Sequence, residues 1–419
     1  MNEIHEDEAT LRSAMLERLA AMRGAPLAGN VADAMMVVPR HVFVPEAPLS
    51  EAYGLGVVVT HWDGQGVPTS SASAPGTVAG MLEQAQVLPG QRVLEVGAGT
   101  GYNAALLAHL VGLSGSVTTI EYDADVADAA QRHLAAYGVD RVRVVTGDGT
   151  LGAAEDGPFD RILVTAGAWD VAPAWVEQLA PDGRVVLPLR LRGLTRVVAF
   201  ERDGAGLRSV SVIEDGFIPM KGIGAMPEKN VRLGVGPDLT LRIDDAQPVE
   251  PALLQVLDSD PALEWTDVVA PWAWTPEQDF WLATLPGFCR VFVNAEAVAK
   301  LRVPPAKDPW GAWGVYSSAS LAYLCSRQVG GTDQMPMLQV GACGFGPDGA
   351  GLAQLLAARV RLWQEQAAGV ELTIEARPLS ATPLPGEDRA LLVVDKVDHV
   401  FAVTAISTNT SSRSSATAT

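Results

Sequence analysis

The pattern of apolar and polar positions changes several times before residue 75, and each change predicts an element. Residues 8–23 carry apolar side chains on one helical face, which predicts an amphipathic helix. A second helix is predicted over 31–37, and the proline after it favours an extended connection over 40–45. Residues 50–75 are rich in Gly, Ser, Thr and Pro without a clear period, so we expect a long ordered loop.

From residue 75 onward, short apolar runs alternate with helical patterns. Pro75 suits the first turn of a helix that runs to about residue 86. The elements predicted next are strands 92–96, 117–120, 142–145 and 162–165, with helices that end at 111 and cover 125–137. This order predicts an α/β fold with a doubly wound, Rossmann-like parallel sheet and helices on both faces. Apolar runs over 185–213 follow one another with short connections, which predicts that the sheet ends in antiparallel strands.

The pattern becomes less regular after residue 225, and we expect a second, α+β domain over 226–405, with residues 1–225 as the first domain. Residues 406–419 are mostly Ser, Thr and Ala and are expected to form a disordered tail. Seven of the ten tryptophans follow residue 260, and four of them stand at 265, 272, 274 and 281. They favour either a peptide-binding surface or the core of the second domain.

Composition and charge exclude several classes of protein. The chain has 419 residues, 48% of them hydrophobic, which is too apolar for a disordered chain. Its net charge of −19 opposes nucleic-acid binding and either keeps the surface soluble or attracts a cationic partner. Three cysteines without a Cys-x-x-Cys pair oppose a disulfide scaffold or a zinc knuckle and favour a reducing compartment, and no apolar run is long enough to span a membrane. These features predict a cytoplasmic protein.

The strongest local signal is the segment from Glu95 to Tyr102, where a strand ends in three alternating glycines and a helix begins. Gly97, Gly99 and Gly101 let the backbone turn sharply and approach a ligand closely. The dinucleotide fingerprint needs Gly or Ala where Tyr102 stands, which opposes a pyrophosphate ligand. We expect a ligand with a nucleoside and an amino acid but no phosphates.

Two further carboxylates follow the next strands. Glu121 ends a strand 20 residues after Gly101, where a carboxylate is placed to bind a ribose diol. Asp148, followed by Gly149 after the third strand, could bind an adenine amino group. Open α/β sheets bind ligands along the carboxyl ends of their strands. Together with the glycine turn and Glu95, these residues predict S-adenosylmethionine binding.

Hydroxyl side chains crowd residues 69–77, where the expected loop meets the helix that begins at Pro75. Ser71, Ser73 and Thr77 are candidate contacts for a substrate. Ser73 is also placed to cap the helix. One loop can serve both purposes, so both interpretations stay open.

Several motifs occur in one order, namely Val38 to Pro45, Ser73-Ala74-Pro75, Glu95 to Tyr102, Gly147-Asp148-Gly149, Pro158 to Ala166 and Gln178 to Arg184. Over residues 10–225 the chain resembles the L-isoaspartyl protein carboxyl methyltransferases. The Ser-Ala-Pro motif is the specific part, because most methyltransferases share the glycine-rich turn. The resemblance implies a class I methyltransferase sheet, S-adenosylmethionine as donor, S-adenosylhomocysteine as product and Ser73 as the active-site serine.

Two departures from the family favour a divergent branch. The family usually continues Ser-Ala-Pro-His-Met-His, whereas Gly76, Thr77 and Val78 follow here. The repair enzymes also end near residue 220, whereas this chain continues to residue 419. Both features resemble relatives in lanthipeptide and graspetide pathways. Those enzymes methylate an ordinary aspartate in a cyclised ribosomal peptide (a RiPP), and the ester collapses to a succinimide (aspartimide) that can open to isoaspartate.

Methylation of a carboxylate needs no general base, because a side-chain carboxylate with a pKa of about 4 is already ionised at neutral pH. Alignment and exclusion of water suffice, and hydroxyls such as that of Ser73 can orient the carboxylate without protonating it. His61, beside Trp62 and Asp63, is either a candidate substrate contact or a surface-loop histidine.

Three functions remain open. The main hypothesis is an aspartate O-methyltransferase that matures a cyclised ribosomal peptide, with the domain over 226–405 closing over the acceptor cleft. The alternative is a protein-L-isoaspartate O-methyltransferase that repairs damaged proteins. A non-catalytic peptide-binding protein on the same scaffold is opposed by the intact glycine turn, Glu121, Asp148 and Ser73.

Overall fold

The computed structural model describes most of the chain. The described ranges are 7–64, 66–225, 228–234, 238–243, 249–270, 276–300, 303–306, 311–332, 335–366, 370–380 and 390–407. The helices are α1 (Glu8–Arg23), α2 (Gly29–Val37), α3 (Leu49–Ala52), α4 (Pro75–Ala85), α5 (Tyr102–Val111), α6 (Ala124–Tyr137), α7 (Pro173–Gln178), α8 (Pro276–Ala283), α9 (Ala295–Ala299) and α10 (Gly349–Gln366).

The strands of the first half are β1 (Val58–Trp62), β2 (Pro68–Ala72), β3 (Arg92–Val96), β4 (Ser116–Glu121), β5 (Val142–Thr146), β6 (Phe159–Val164), β7 (Leu179–Leu191), β8 (Leu194–Asp203) and β9 (Gly206–Glu214). Those of the second half are β10 (Lys229–Leu233), β11 (Leu239–Ile243), β12 (Ala262–Ala270), β13 (Phe288–Val293), β14 (Ala312–Tyr316), β15 (Leu321–Thr332), β16 (Met335–Phe345), β17 (Val370–Pro378), β18 (Leu392–Asp395) and β19 (His399–Ser407).

The predicted doubly wound sheet is confirmed. Strands β5, β4, β3, β6 and β7 lie side by side in parallel, and β8 and β9 continue the sheet in antiparallel order. Apolar residues of the central strands are buried under helices, as the continuous apolar runs indicated. The carboxyl ends of β3 and β4 therefore meet at one edge of the sheet.

Two expectations for the N-terminal region are wrong. Residues Arg40–Phe43 form a 3₁₀-helix rather than an extended connection, because the buried Arg40 side chain donates hydrogen bonds to the carbonyls of Ala52 and Ala72. Residues 50–75 are not a single loop, since β1 and β2 pair as an antiparallel hairpin. Pairing between strands supplies order that the polar sequence of β2 does not signal by itself.

The region after residue 225 is divided between two sheets. Strands β10 to β16 form an antiparallel sheet in the order β10, β11, β13, β14, β15, β16, β12, and α10 packs against it. Strands β17, β19 and β18 instead extend the methyltransferase-like sheet, because Ala376 of β17 pairs with Leu207 of β9. The predicted division at 225 therefore does not separate the two sheets.

The two halves of the chain also share a hydrophobic core. One buried cluster includes Leu187 and Val198 of the first sheet together with Phe280 of α8 and Val360 of α10. A fragment cut near residue 225 would lose part of this core.

Several of the described tryptophans after residue 260 pack against neighbouring aromatic side chains. Trp281 contacts Trp363 with ring centroids 6.1 Å apart, and Trp313 stacks on Phe288 at 5.4 Å. Trp363 is buried and Trp313 packs against the hydrophobic core, so the core interpretation holds for these two. Trp272 and Trp274 lie outside the described residues, as do residues 408–419 of the expected tail, whereas β19 extends to Ser407.

Candidate functional site

A cavity of about 360 Å³ lies at the carboxyl ends of β3 and β4. It is bounded by the glycine turn, by the β2–α4 connection and by residues 215–221, which follow β9. Among the described residues, those that line it lie between Val57 and Lys221. Its size is that of a pocket for a small molecule.

The glycine turn forms the floor of the cavity, and each glycine adopts a positive φ, at 104° for Gly97, 51° for Gly99 and 87° for Gly101. A Cβ atom on Gly97 would lie 2.6 Å from Thr165 Oγ1, and one on Gly99 would lie 3.3 Å from the Ser71 carbonyl oxygen. Larger residues would be both strained and obstructed.

Thr165, at the end of β6, was not singled out from the sequence. Its hydroxyl donates to the Gly97 carbonyl at 2.7 Å and so fixes the turn. Thr165 belongs to the Pro158 to Ala166 motif, and this was the sequence feature that could have identified it as a site residue.

Glu121 holds the turn from the neighbouring strand. Its Oε2 accepts a hydrogen bond from the backbone N–H of Gly99 at 2.9 Å, and its Oε1 accepts one from that of Tyr122 at 2.9 Å. Burial raises the pKa of Glu121, while these backbone donors oppose the shift. Its Oε1 also accepts from the backbone N–H of Asp123 at 3.3 Å. A carboxylate has about four acceptor positions, so Glu121 retains capacity for one ribose hydroxyl in the cavity that it lines.

Glu95 lies deeper and is completely buried. It accepts hydrogen bonds from Asn103 Nδ2 at 2.7 Å and from the Thr119 hydroxyl at 2.5 Å, and it thereby joins β3, β4 and the first turn of α5. Burial raises its pKa to about 7, although both hydrogen bonds oppose the shift. Glu95 lines the cavity, and its hydrogen bonds hold together the elements that flank the glycine turn.

Asp148 and Gly149 occupy different positions relative to the cavity. Gly149 lines it, whereas Asp148 is not among the lining residues. The Asp148 carboxylate accepts hydrogen bonds from the backbone N–H groups of Thr150 at 3.0 Å and Ile223 at 2.8 Å. It therefore anchors the short 3₁₀-helix Gly222–Gly224 beside the cavity.

Ser71, Ser73 and Thr77 line the same cavity as Glu121. Helix α4 has Ala74 as its N-cap residue and no side-chain capping hydrogen bond, so the capping interpretation of Ser73 is wrong. The half-buried Ser73 hydroxyl forms no hydrogen bond with another residue of the described part of the chain. It is available to a ligand in the cavity.

His61 is not brought into the cavity. It lies on β1 opposite Ser70, and its Nδ1 is 3.2 Å from the Thr60 hydroxyl. Trp62 beside it is exposed. The position of His61 therefore favours its interpretation as a surface histidine rather than as a substrate contact.

The segment after β9 forms the remaining wall. Gly167 donates its N–H to the Ile218 carbonyl at 2.8 Å and accepts from Met220 N–H at 2.9 Å. Lys221 forms an ion pair with Asp123 across the mouth of the cavity. Phe217 to Lys221 thus line the cavity on this side.

The described part of the region after residue 225 contacts the loop behind this wall rather than the cavity itself. Asp170, in the loop after β6, accepts hydrogen bonds from Asp398 N–H at 2.8 Å, and its Oδ1 lies 3.1 Å from His399 Nδ1. Lys396 lies over the Trp169 ring at 3.0 Å. The turn between β18 and β19 therefore supports the loop that pairs with Ile218 and Met220. In the described ranges, it does not close over the cavity itself.

None of the helices in the described residues is long and apolar enough to cross a membrane. No group of three or more His, Cys, Asp and Glu side chains in those residues is arranged to hold a metal ion.

Comparisons with known proteins agree with this geometry. The family model described as protein-L-isoaspartate (D-aspartate) O-methyltransferase matches residues 10–222. A protein-L-isoaspartate O-methyltransferase of Methanopyrus kandleri is 42% identical over 205 residues, which cover 48% of this chain and 88% of that protein. Protein-L-isoaspartate O-methyltransferase 2 of Archaeoglobus fulgidus is 40% identical over 197 residues, which cover 47% of this chain and 87% of that protein.

A solved structure named protein-L-isoaspartate O-methyltransferase matches nearly the whole fold. Its TM-score is 0.50 at 20% identity, and the match covers 95% of this chain and 99% of that one. A protein of that name therefore shares the fold of the region after residue 225. The extension therefore does not by itself distinguish the fold of this chain from that of a protein with this name.

The predicted fold class, enzyme class and methyl donor are confirmed by these matches, whereas the branch associated with ribosomal peptides is not. The family model covers about half of the chain, including the glycine turn, Glu121 and the serine loop. The chain belongs to the protein-L-isoaspartate (D-aspartate) O-methyltransferase family, whose members are S-adenosylmethionine-dependent protein carboxyl methyltransferases.

Proposed function

We propose that this protein methylates the carboxylate of L-isoaspartyl residues in proteins and peptides. One observation carries the proposal: the glycine turn and Glu121 share a single cavity with Ser71, Ser73 and Thr77. A donor and an acceptor held on these two walls would meet without water between them. The names and identities of the relatives support the isoaspartyl acceptor.

The donor wall suits S-adenosylmethionine. When bound, this donor supplies a methyl group activated by a positively charged sulfur. The backbone of Gly97–Gly101 approaches the ligand closely because three of its five residues are glycines, which carry no side chains. Glu121 would accept hydrogen bonds from the ribose, and Glu95 keeps the turn in place.

The acceptor wall needs to orient a carboxylate rather than remove a proton. At neutral pH the acceptor is already ionised, since its pKa is about 4. The hydroxyl of Ser73, with those of Ser71 and Thr77, would donate hydrogen bonds to it and point one oxygen toward the donor. The segment from Phe217 to Met220 would exclude water.

Aspartate methylation in a cyclised ribosomal peptide remains a prediction from the sequence alone. Its two arguments were the length of the chain and the Gly76-Thr77-Val78 departure, and the first no longer distinguishes the chain from the family. The cytoplasmic location likewise stays a prediction.

The test uses three peptides of one sequence, carrying isoaspartate, aspartate, or aspartate within a cyclised form. Each is incubated with the full chain and methyl-labelled donor, and the methyl ester is measured before it decays. We expect turnover of the isoaspartyl peptide, little turnover of the linear aspartyl peptide, and loss of activity in Ser73→Ala. Preferred methylation of the cyclised aspartyl peptide would overturn the proposal in favour of peptide maturation. No methylation of any peptide would also overturn it.

A further inference from the structure

Arg40 is a completely buried cation directly behind the serine loop. Its exposed fraction is 0%. Its Nε donates to the Ala52 carbonyl at 2.9 Å, and its Nη2 donates to the Ala72 carbonyl at 3.3 Å. Ala72 immediately precedes Ser73, so the guanidinium holds the backbone from which the serine projects.

The charge of Arg40 has no anionic partner in the described part of the chain. The only ionisable groups that act on it there are the phenols of Tyr102 and Tyr53, and its Nη1 is buried without a hydrogen-bond partner. By contrast, the equally buried Arg196 lies 2.6 Å from the Asp279 carboxylate. Burial of an uncompensated charge is costly, so its presence at this position calls for a compensating interaction.

The cavity supplies a place for that interaction. The Arg40 guanidinium carbon lies 5.3 Å from the centre of the Tyr102 ring, and Tyr102 and Ala72 both line the cavity. The wall between Arg40 and the cavity is therefore one residue thick. Charges act over this range more strongly in a protein interior than in water.

We propose that Arg40 is the specificity-determining counter-charge for the acceptor carboxylate, acting through the wall formed by Ala72 and Tyr102. This inference rests on the proposed function. The chain carries a net charge of −19, which repels an anionic acceptor, and Lys221 in the cavity wall is already paired with Asp123. Arg40 therefore supplies a positive charge at the site that no carboxylate of the described residues neutralises. Arg40 does not touch the reacting atoms; it selects an ionised acceptor and fixes the backbone of Ser73.

The test measures discrimination between a charged and a neutral acceptor. An isoaspartyl peptide and its isoasparaginyl counterpart, which replaces the carboxylate by a carboxamide, are titrated into the full chain saturated with S-adenosylhomocysteine. The wild type should bind the carboxylate more tightly. Arg40→Met, which removes the charge and keeps the length, should lower the ratio of the two affinities about tenfold, whereas Arg40→Lys should change it less than about threefold.

Arg12→Met is the matched control. Arg12 is also a buried cation in the N-terminal layer, but it donates to the Met36 carbonyl at 2.6 Å and not to the serine loop. It should lower the melting temperature without changing the ratio of affinities. An effect of both substitutions on the ratio would indicate a general structural role and overturn the proposal.

Other outcomes are equally decisive. An unchanged ratio in folded Arg40→Met would overturn the proposal, as would equal binding of the two peptides by the wild type. If Arg40→Met does not fold, Arg40→Lys decides, because loss of discrimination despite the retained charge would contradict the inference. Failure of the wild type to methylate the isoaspartyl peptide is a separate result, since it refutes the proposed function before any variant is made.

Discussion

The guanidinium of Arg196 on β8 lies 2.6 Å from the carboxylate of Asp279 on α8, and both side chains are buried. This ion pair joins the methyltransferase sheet to the region after residue 225. Burial raises the pKa of Asp279 to about 6, although Arg196 opposes the shift, so the pair is retained at a cost in desolvation.

Removing one partner of this pair should destabilise the protein strongly. Asp279→Ala leaves the Arg196 cation buried and should lower the free energy of unfolding by about 3–5 kcal/mol in urea denaturation. The double variant Arg196→Met with Asp279→Leu should regain most of that loss. As a control, Glu155→Ala breaks an exposed ion pair with Arg143 and should change the free energy of unfolding far less, because solvent screens the pair. Equal effects of the buried and exposed substitutions would contradict this account.

A fragment that ends at residue 225 should not form a stable domain. It lacks β17, which pairs with β9, and it lacks Phe280 and Val360 of the shared core. It would also leave Arg196 without Asp279. We expect an aggregated or unfolded product by circular dichroism and size-exclusion chromatography. A monomeric fragment that unfolds cooperatively and binds donor would show instead that residues 1–225 are autonomous.

Glu121 should be essential for donor binding. Glu121→Ala removes charge-assisted acceptors for the ribose and a support of Gly99, and should weaken donor affinity by about 2–3 kcal/mol. Titration calorimetry with S-adenosylhomocysteine measures this loss, and a thermal melt checks that the variant is folded. Unchanged affinity in a folded variant would remove Glu121 from the donor site.

Ser73 should affect turnover without affecting stability. Because Ala74 is the N-cap residue and no side chain caps α4, Ser73→Ala removes no stabilising hydrogen bond. We expect kcat to fall at least about tenfold, which corresponds to about 1.4 kcal/mol of transition-state stabilisation, with an unchanged melting temperature. Ser114→Ala, at an exposed position before β4, should change neither quantity. A lower melting temperature with full turnover in Ser73→Ala would assign the serine to the fold.

The buried Glu95 should make stability depend on pH. Its pKa is about 7 in the folded protein, against an ordinary value of 4.5. Between these values the folded state binds more protons than the unfolded state, so the free energy of unfolding falls as pH rises. The fall attributable to Glu95 is at most about 3 kcal/mol.

Glu95→Gln tests this dependence because the amide occupies the same position without titrating. Asp279 contributes in the same direction at lower pH, so the difference between the wild type and the variant isolates Glu95. Urea denaturation at pH 5, 6, 7 and 8 should give a smaller slope for the variant. Parallel curves would show that Glu95 ionises in the folded protein as it does in the unfolded chain.

The sequence by itself determined the elements that depend on local pattern. Helix α1 lies where its apolar period predicted, with Asp7 as N-cap and Gly24 at its end, and β3 covers the predicted run. The glycine turn and Glu121 follow strands of a predicted parallel sheet, whose carboxyl ends must meet. Their approach therefore follows from the order of elements alone.

Only the tertiary structure determined the strand pairings and polar contacts between residues that are distant in sequence. Strand β17 pairs with β9 across more than a hundred residues, and periodicity carries no information about such a partner. The same holds in the site: Asp148 binds the backbone of Ile223, and His61 stays outside the cavity. Arg40 lies under the serine loop because it bonds two carbonyls from separate segments. Local sequence sets backbone preference and polarity, but only the packed chain determines which buried polar groups meet.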